Sequence, residues 1–445
     1  MKFPHLPPSL TKVLQDSSHE RLITLLSGNS QVDAKGRYLP WEELRFKRPP
    51  ADFTAEEWWF ATKTARTSAS QKLDLTDASG AAFSFCEPPP LKAALRDLDM
   101  NAGGALTSDV DALSASDGDR YLARSLAEEP FASSLIEGAA TTRQIAKQLI
   151  FEARAPKTRD ERMVLNNYRA LEFVKAHRHD DLTLPILLEL HRLVTEDTLD
   201  DPRDAGRVRT SDDVQVVDDS TGEILHQPPR ASDLPDRLDR LIRFANATPE
   251  PNAWVHPLLK AFILHFMLAY EHPFVDGNGR VARALFYWSA LRDGYWLIEY
   301  VSISSIIAES KIAYGKSFLY VETDRADLTY FLIYNSEILQ TALSRLARYL
   351  ARRRQEVAAF EARLNEQRGP GALNHRQTWL LNELARARLP QITIAEQARK
   401  HSVSYLTARA DLEGLAKAGF MRKTKVGRTS IYRPARNLVA KLTAP

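Results

Sequence analysis

Within twelve residues, the segment His272-Pro273-Phe274-Val275-Asp276-Gly277-Asn278-Gly279-Arg280-Val281-Ala282-Arg283 gathers a base, a carboxylate, two glycines, an amide and two guanidinium groups. His272 is the one side chain here whose ordinary pKa suits proton abstraction near neutrality. Asp276 offers the hard oxygen that Mg²⁺ prefers while bridging phosphates. Gly277 and Gly279 carry no side chain, so the N–H groups of a tight turn can approach phosphate oxygens. A helix starting there adds a favourable field for negative charge. Arg280 and Arg283 are three apart, on nearly one helix face, and their planar forks suit phosphate. Together these groups are costly at a core edge unless partnered, and a triphosphate would partner them.

Two elements must hold this loop. Before it, Leu258, Leu259, Phe262, Ile263, Phe266, Met267 and Tyr270 recur at helical spacing. After it come Val281, Ala282, Ala284, Leu285, Phe286, Trp288 and Leu291. Both read as buried helices.

The segment resembles the Fic family signature, His-x-Phe-x-(Asp/Glu)-Gly-Asn-Gly-Arg-x-x-Arg, and His272, Phe274, Asp276, Gly277, Asn278, Gly279, Arg280 and Arg283 fill every specified position. The resemblance implies AMP transfer from ATP to a Ser, Thr or Tyr hydroxyl of a target protein or of the chain itself. His272 would deprotonate the hydroxyl, which attacks the α-phosphorus and expels pyrophosphate. It also implies Asp276 on Mg²⁺, Gly277, Asn278, Gly279, Arg280 and Arg283 around ATP, and Phe274 as a core anchor. A hairpin signal at Val214, Gln215, Val216 and Val217, then Asp218–Gly222, Ile224 and Leu225, resembles the family's target-docking flap. A homodimer is implied by the resemblance alone.

Phe131–Thr142 reads FASSLIEGAATT. Ser133 and Glu137 would share a helix face, and Gly138 suits the helix end. This is similar to the family's inhibitory motif, (Ser/Thr)-x-x-x-Glu-(Gly/Asn), in which the glutamate pairs with the second arginine of the signature, here Arg283. Autoinhibition is the expectation.

The 445 residues, 44% hydrophobic and 26% charged, read as a folded chain of several domains. Cys86 is the only cysteine, so no intramolecular disulfide is possible. The proline-broken start lacks a secretory pattern, the longest apolar region is interrupted by charge, and a cytoplasmic protein without membrane contact is expected. The expected fold is mainly α, a Fic-type helical bundle with a β-hairpin flap. We divide it into a mixed N-terminal region at 1–104, an inhibitory helix region at 105–157, a catalytic core at 158–366 and a winged helix-turn-helix at 372–445.

The tail is electrostatically distinct. Residues 371–445 hold fourteen Lys/Arg against four Asp/Glu, a net of +10, leaving −7 on residues 1–370. If it binds DNA, Ser404, Tyr405, Thr407 and Arg409 would face the major groove, and Lys423, Lys425 and Arg428 would reach phosphates. Three alternatives stay open. One is a DNA-binding regulator whose core senses nucleotide, although the base argues for catalysis. Another is removal of AMP with Glu137 positioning a water. The third, phosphorylation as in the Doc branch, is disfavoured by the intact Gly-Asn-Gly-Arg.

Overall fold

A computed structural model of the chain describes residues 2–27, 30–50, 52–102, 127–218, 221–248, 253–366, 373–385, 391–426 and 429–435. The fold is mainly helical and divides into two compact units. The described residues within 1–104 and 125–343 make the first, and those within 344–445 the second. The described residues of the N-terminal region 1–104 belong to the same compact unit as the motif.

At the centre of the first unit lie the helices Pro257–Glu271 and Asn278–Arg292. They are apolar on nearly every side because both are enclosed, with Phe262, Phe266, Phe286 and Leu285 fully buried. Each such side chain contributes about 1.5–3 kcal/mol on leaving water. Around them pack Arg159–Ala176, Leu184–Thr195 and Leu234–Asn246. Threonines start the first two: Thr158 accepts from the Glu161 amide at 3.2 Å and Thr183 from the Ile186 amide at 3.3 Å. A helix over residues 127–136 lies on this bundle through Phe131, which packs with Ala146, Leu149 and Val164.

The N-terminal region locks onto the bundle with a buried polar network. The strands Gln71–Thr76 and Ala82–Phe85 form an antiparallel hairpin. Its Ser84 amide donates to Ala326 O at 3.1 Å, and Ser84 O accepts from the Leu328 amide at 2.8 Å. Lys63, in the helix Ala55–Ser68, is buried between Asp324 at 2.9 Å and Asp327 at 3.0 Å. Such a pair survives burial because each charge has a partner.

Further on come two helices, Ile303–Ile307 and Lys311–Thr323, with a 3₁₀ turn between them. The long helix Thr329–Glu366 follows. The hairpin at 214–225 is present but pairs only Val216–Val217 with Ile224–His226, so Val214 and Gln215 lie outside the strand.

In the second unit, helices His375–Ala385, Ile394–His401 and Tyr405–Lys417 accompany strands Met421–Val426 and Thr429–Pro434. Ile392–Thr393 adds a third strand, in the order Ile392–Thr393, Thr429–Pro434, Met421–Val426. Leu380, Leu381, Leu412, Leu415 and Tyr432 form the core, with Phe420 partly buried against it. Among the described residues no helix is long and apolar enough to cross a membrane.

Candidate active site

His272 ends the helix Pro257–Glu271 in the left-handed conformation, at φ 46° and ψ 55°. A side chain adopts this only when its surroundings hold it there. Arg209 does so: its Nε donates to His272 O at 2.9 Å, its amide donates to Pro273 O at 2.8 Å, and its Nη2 reaches Pro229 O. The imidazole Nδ1 lies 3.1 Å from Ala269 O. A carbonyl only accepts, so Nδ1 carries the proton and Nε2 is the basic nitrogen. Burial pushes the His272 pKa down to about 4, partly offset by the Ala269 carbonyl, so the ring is neutral at pH 7.

The loop after it is closed by Asn278, whose Oδ1 accepts from the Phe274 amide at 2.9 Å and whose Nδ2 donates to Phe274 O at 2.8 Å. Phe274 is fully buried and stacks on His191, with ring centroids 3.8 Å apart. His191 Nδ1 accepts from the Gly206 amide at 3.0 Å, which leaves Nε2–H to donate to Asp276 O at 2.9 Å. His191 and Arg209 thus fix the loop from outside the motif, which the sequence did not reveal.

Gly277 stands at φ 86° as the helix Asn278–Arg292 begins, and a Cβ there would sit 2.8 Å from Thr195 Cγ2. The first helical bond runs from the Val281 amide to Gly277 O at 3.0 Å. The amides of Asn278, Gly279 and Arg280 therefore precede the intrahelical ladder and are the donors an anion cradle would use.

The two arginines part company. Arg280 is buried, donating from Nη1 to Val194 O at 2.8 Å and from Nη2 to Asp276 at 3.2 Å. Its guanidinium braces the loop. Arg283, also buried, donates from Nε to Ser133 Oγ at 3.0 Å, and from Nη2 to Ser133 O at 3.1 Å and Glu137 Oε1 at 2.8 Å. Gly279 makes room for this pair, since a Cβ would collide with Glu137 Oε1. Gly138, at φ 90°, ends the turn after residues 127–136.

That helix is fastened along its length. Glu129, fully enclosed, accepts from Ser302 Oγ at 2.6 Å and from the Ser304 amide at 3.0 Å. Lys311 Nζ donates to Leu135 O at 2.7 Å and Ile136 O at 3.0 Å, capping its C-terminus with a cation.

Asp276 presents a side chain that is 44% exposed, with Oδ1 held 2.5 Å from the Gly277 amide. Among the described residues no cluster of three or more His, Cys, Asp or Glu can hold a metal. One accessible carboxylate beside a phosphate cradle fits Mg²⁺, which takes few protein ligands and completes its shell with phosphate and water.

In the second unit, Ser404 caps the helix Tyr405–Lys417 by accepting from the Thr407 amide at 3.1 Å. Tyr405, Arg409, Lys423 and Lys425 are exposed. Glu413 engages both Arg409 and Lys423, each at 3.0 Å. Arg428 lies outside the described residues.

A family model described as Fic/DOC family matches residues 181–290, which contain both the hairpin and the motif. The chain is 36% identical over 115 residues to protein adenylyltransferase Fic of Drosophila sechellia, covering 26% of this chain and 21% of that one. It is 31% identical over 141 residues to protein adenylyltransferase fic-1 of Caenorhabditis elegans, covering 31% and 25%. It therefore spans about a fifth to a quarter of the length of these curated relatives. Among solved structures, a Fic family protein from Desulfovibrio desulfuricans G20 aligns at 19% identity and a TM-score of 0.49, over 78% of this chain and 96% of that one. The family match thus falls on the segment that carries His272, the hairpin and the glycine-lined helix start, and residues 181–290 form a Fic/DOC family domain.

Proposed function

We propose that the protein transfers AMP from ATP to a hydroxyl side chain of a protein, itself included, and is held off at rest by Glu137. The observation that carries the reading is the pairing of a neutral His272, whose Nε2 is the basic nitrogen, with a glycine-lined helix N-terminus whose cation Arg283 is occupied by Glu137. Nε2 accepts the hydroxyl proton, the oxygen attacks the α-phosphorus, the bond to the bridging oxygen breaks, and pyrophosphate leaves with that electron pair. The backbone cradle supports charge on the phosphates, and the exposed edge of Val216–Val217 offers a target segment a strand to pair with. Asp276 would hold Mg²⁺ together with substrate phosphate oxygens, and the ion supplies neutralisation of phosphate charge.

The brake is a competition for one guanidinium. While Glu137 holds Arg283, the γ-phosphate lacks its cation and the α-phosphate its in-line geometry. Glu137→Gly is expected to raise incorporation of label from the α-phosphate of ATP; equal incorporation by wild type and variant would remove the brake from the account.

For the second unit we propose a winged helix that contacts DNA through Ser404, Tyr405 and Thr407. Its exposed helix start and basic strand support the reading. Arg409 and Lys423 reach DNA only by exchanging Glu413 for phosphate.

A further inference from the structure

His226, at the end of the second flap strand, is buried, and both of its ring nitrogens face acceptors. Nδ1 lies 2.8 Å from Glu322 Oε2, on the helix Lys311–Thr323, and Nε2 lies 2.7 Å from Tyr270 O. Neither a carboxylate nor a carbonyl can donate. A neutral imidazole has one N–H and would leave two lone pairs face to face at the other nitrogen, so this geometry is satisfied only by the imidazolium.

The other groups around the ring agree. On the helix Pro257–Glu271, Tyr270 packs its ring 4.7 Å from that of His226, and the buried Glu271 adds a second carboxylate. Glu271 is itself paired to Arg237 of the helix Leu234–Asn246 at 2.5 Å. On the motif side stand His272 and Arg209, both within electrostatic reach of this cluster. Burial by itself would push His226 down, but Glu322, the Tyr270 carbonyl and Glu271 more than offset it, and its pKa lies above the ordinary value.

We propose that His226 is a cationic positioning residue for the transfer reaction: by donating to both Glu322 and Tyr270 O, it fixes the flap strand Ile224–His226 against the helix end that carries His272. The inference rests on the reading of His272 as base and of the hairpin as the target dock. It goes further in making the register between them depend on one proton. Tyr270 is two residues before His272, so the carbonyl that His226 holds belongs to the last turn that sets the base. A positive His226 also opposes a second charge on His272 and helps keep the base neutral. When His226 loses its proton, one of the two bonds is lost and the strand is held from one side only.

The test uses the full chain labelled with ¹⁵N-histidine, with the His226 signals assigned by their loss in His226→Phe. Both ring nitrogens are expected in the protonated range at pH 7, with a midpoint above the ordinary value of about 6.5. Glu322→Gln should bring that midpoint down by about one unit. Hydrogen exchange of the flap amides, corrected for the intrinsic pH effect, should quicken as His226 loses its proton. In a Glu137→Gly background, incorporation from α-labelled ATP should fall on the alkaline side with the same midpoint, and Glu322→Gln should carry that limb to lower pH. One unprotonated ring nitrogen at pH 7, or flap exchange indifferent to the His226 midpoint, overturns the proposal. An alkaline limb that Glu322→Gln lowers in height but does not move overturns it too, because that is what a merely structural role gives. Should Glu137→Gly incorporate no label at all, the transfer reading fails. The nitrogen spectra and flap exchange then still decide whether His226 is the cationic link.

Discussion

Arg283 Nη2 donates to Glu137 Oε1 over 2.8 Å, so the last cation of the glycine-rich motif is turned onto the protein's own carboxylate. The same guanidinium bonds Ser133 through its side chain and its carbonyl, and the residues it engages lie 146 and 150 positions earlier in the chain. The pair is thus a satisfied one, a buried guanidinium on a partly exposed carboxylate, and in the proposed reading ATP would have to replace it with another satisfied arrangement. Whatever loosens the helix over 127–136 lowers the cost of that exchange.

Lys311 is an exposed fastening of that helix. Lys311→Ala removes the cation from the Leu135 and Ile136 carbonyls while leaving the motif intact. Label incorporation should rise a few-fold, on the order of what 0.5–1 kcal/mol of helix-end stabilisation gives. Ser133→Ala should act in the same direction. Unchanged incorporation in both variants means that the helix is not the regulated element.

Acid should unfold the protein early. Burial holds His191 at about 4 and His265 at about 3, well below the ordinary value. With folded pKa values depressed, the unfolded chain takes up protons first. The stability these rings support is complete above about pH 6.5 and drains away as pH falls towards 4 and then 3. By these values His191 contributes about 3 kcal/mol and His265 about 5 kcal/mol across that window. Denaturant midpoints at pH 7, 5.5 and 4.5 should fall in sequence, and His191→Gln should flatten the decline.

Gly277 tolerates no side chain. At φ 86° and with Thr195 Cγ2 in the place of a Cβ, Gly277→Ala should cost about 1–3 kcal/mol, read as a lower urea midpoint with an unchanged slope.

Much of the site was legible because the signature concentrates its chemistry in contiguous residues and because Ser133 and Glu137 fall on one helix face. The supporting groups were not. Nothing local to Arg280 tells that the Val194 carbonyl will claim it, and nothing in Leu184–Thr195 marks His191 as the donor to Asp276 O, since both relations are made by helix packing. The helices around the motif were readable from apolar spacing, whereas Ile392–Thr393 is too short to show a period, and the turn at Ala308–Ser310 carries no proline or glycine to announce it. The N-terminal region could not be joined to the core from sequence, because its attachment runs through Lys63, Asp324 and Asp327, far apart in the chain.

For the second unit, the full-length chain should shift duplex DNA at low salt, with binding weakened steeply as salt rises. Glu413→Ala frees Arg409 and Lys423 and should strengthen it several-fold, by one or two added phosphate contacts. No shift of any duplex by either protein at low salt would contradict the DNA reading.

The central claim is met most directly by supplying ATP labelled at the α-phosphate or, separately, at the γ-phosphate to wild type, Glu137→Gly and His272→Ala. Protein-bound label should come from the α position only. Glu137→Gly should exceed wild type by roughly 5–150-fold, the span of a coupling of about 1–3 kcal/mol. His272→Ala in the released background should lose about 10²–10⁴-fold, the worth of a positioned base. Label retained from the γ position would make the protein a kinase, and undiminished labelling by His272→Ala would contradict the account at its base.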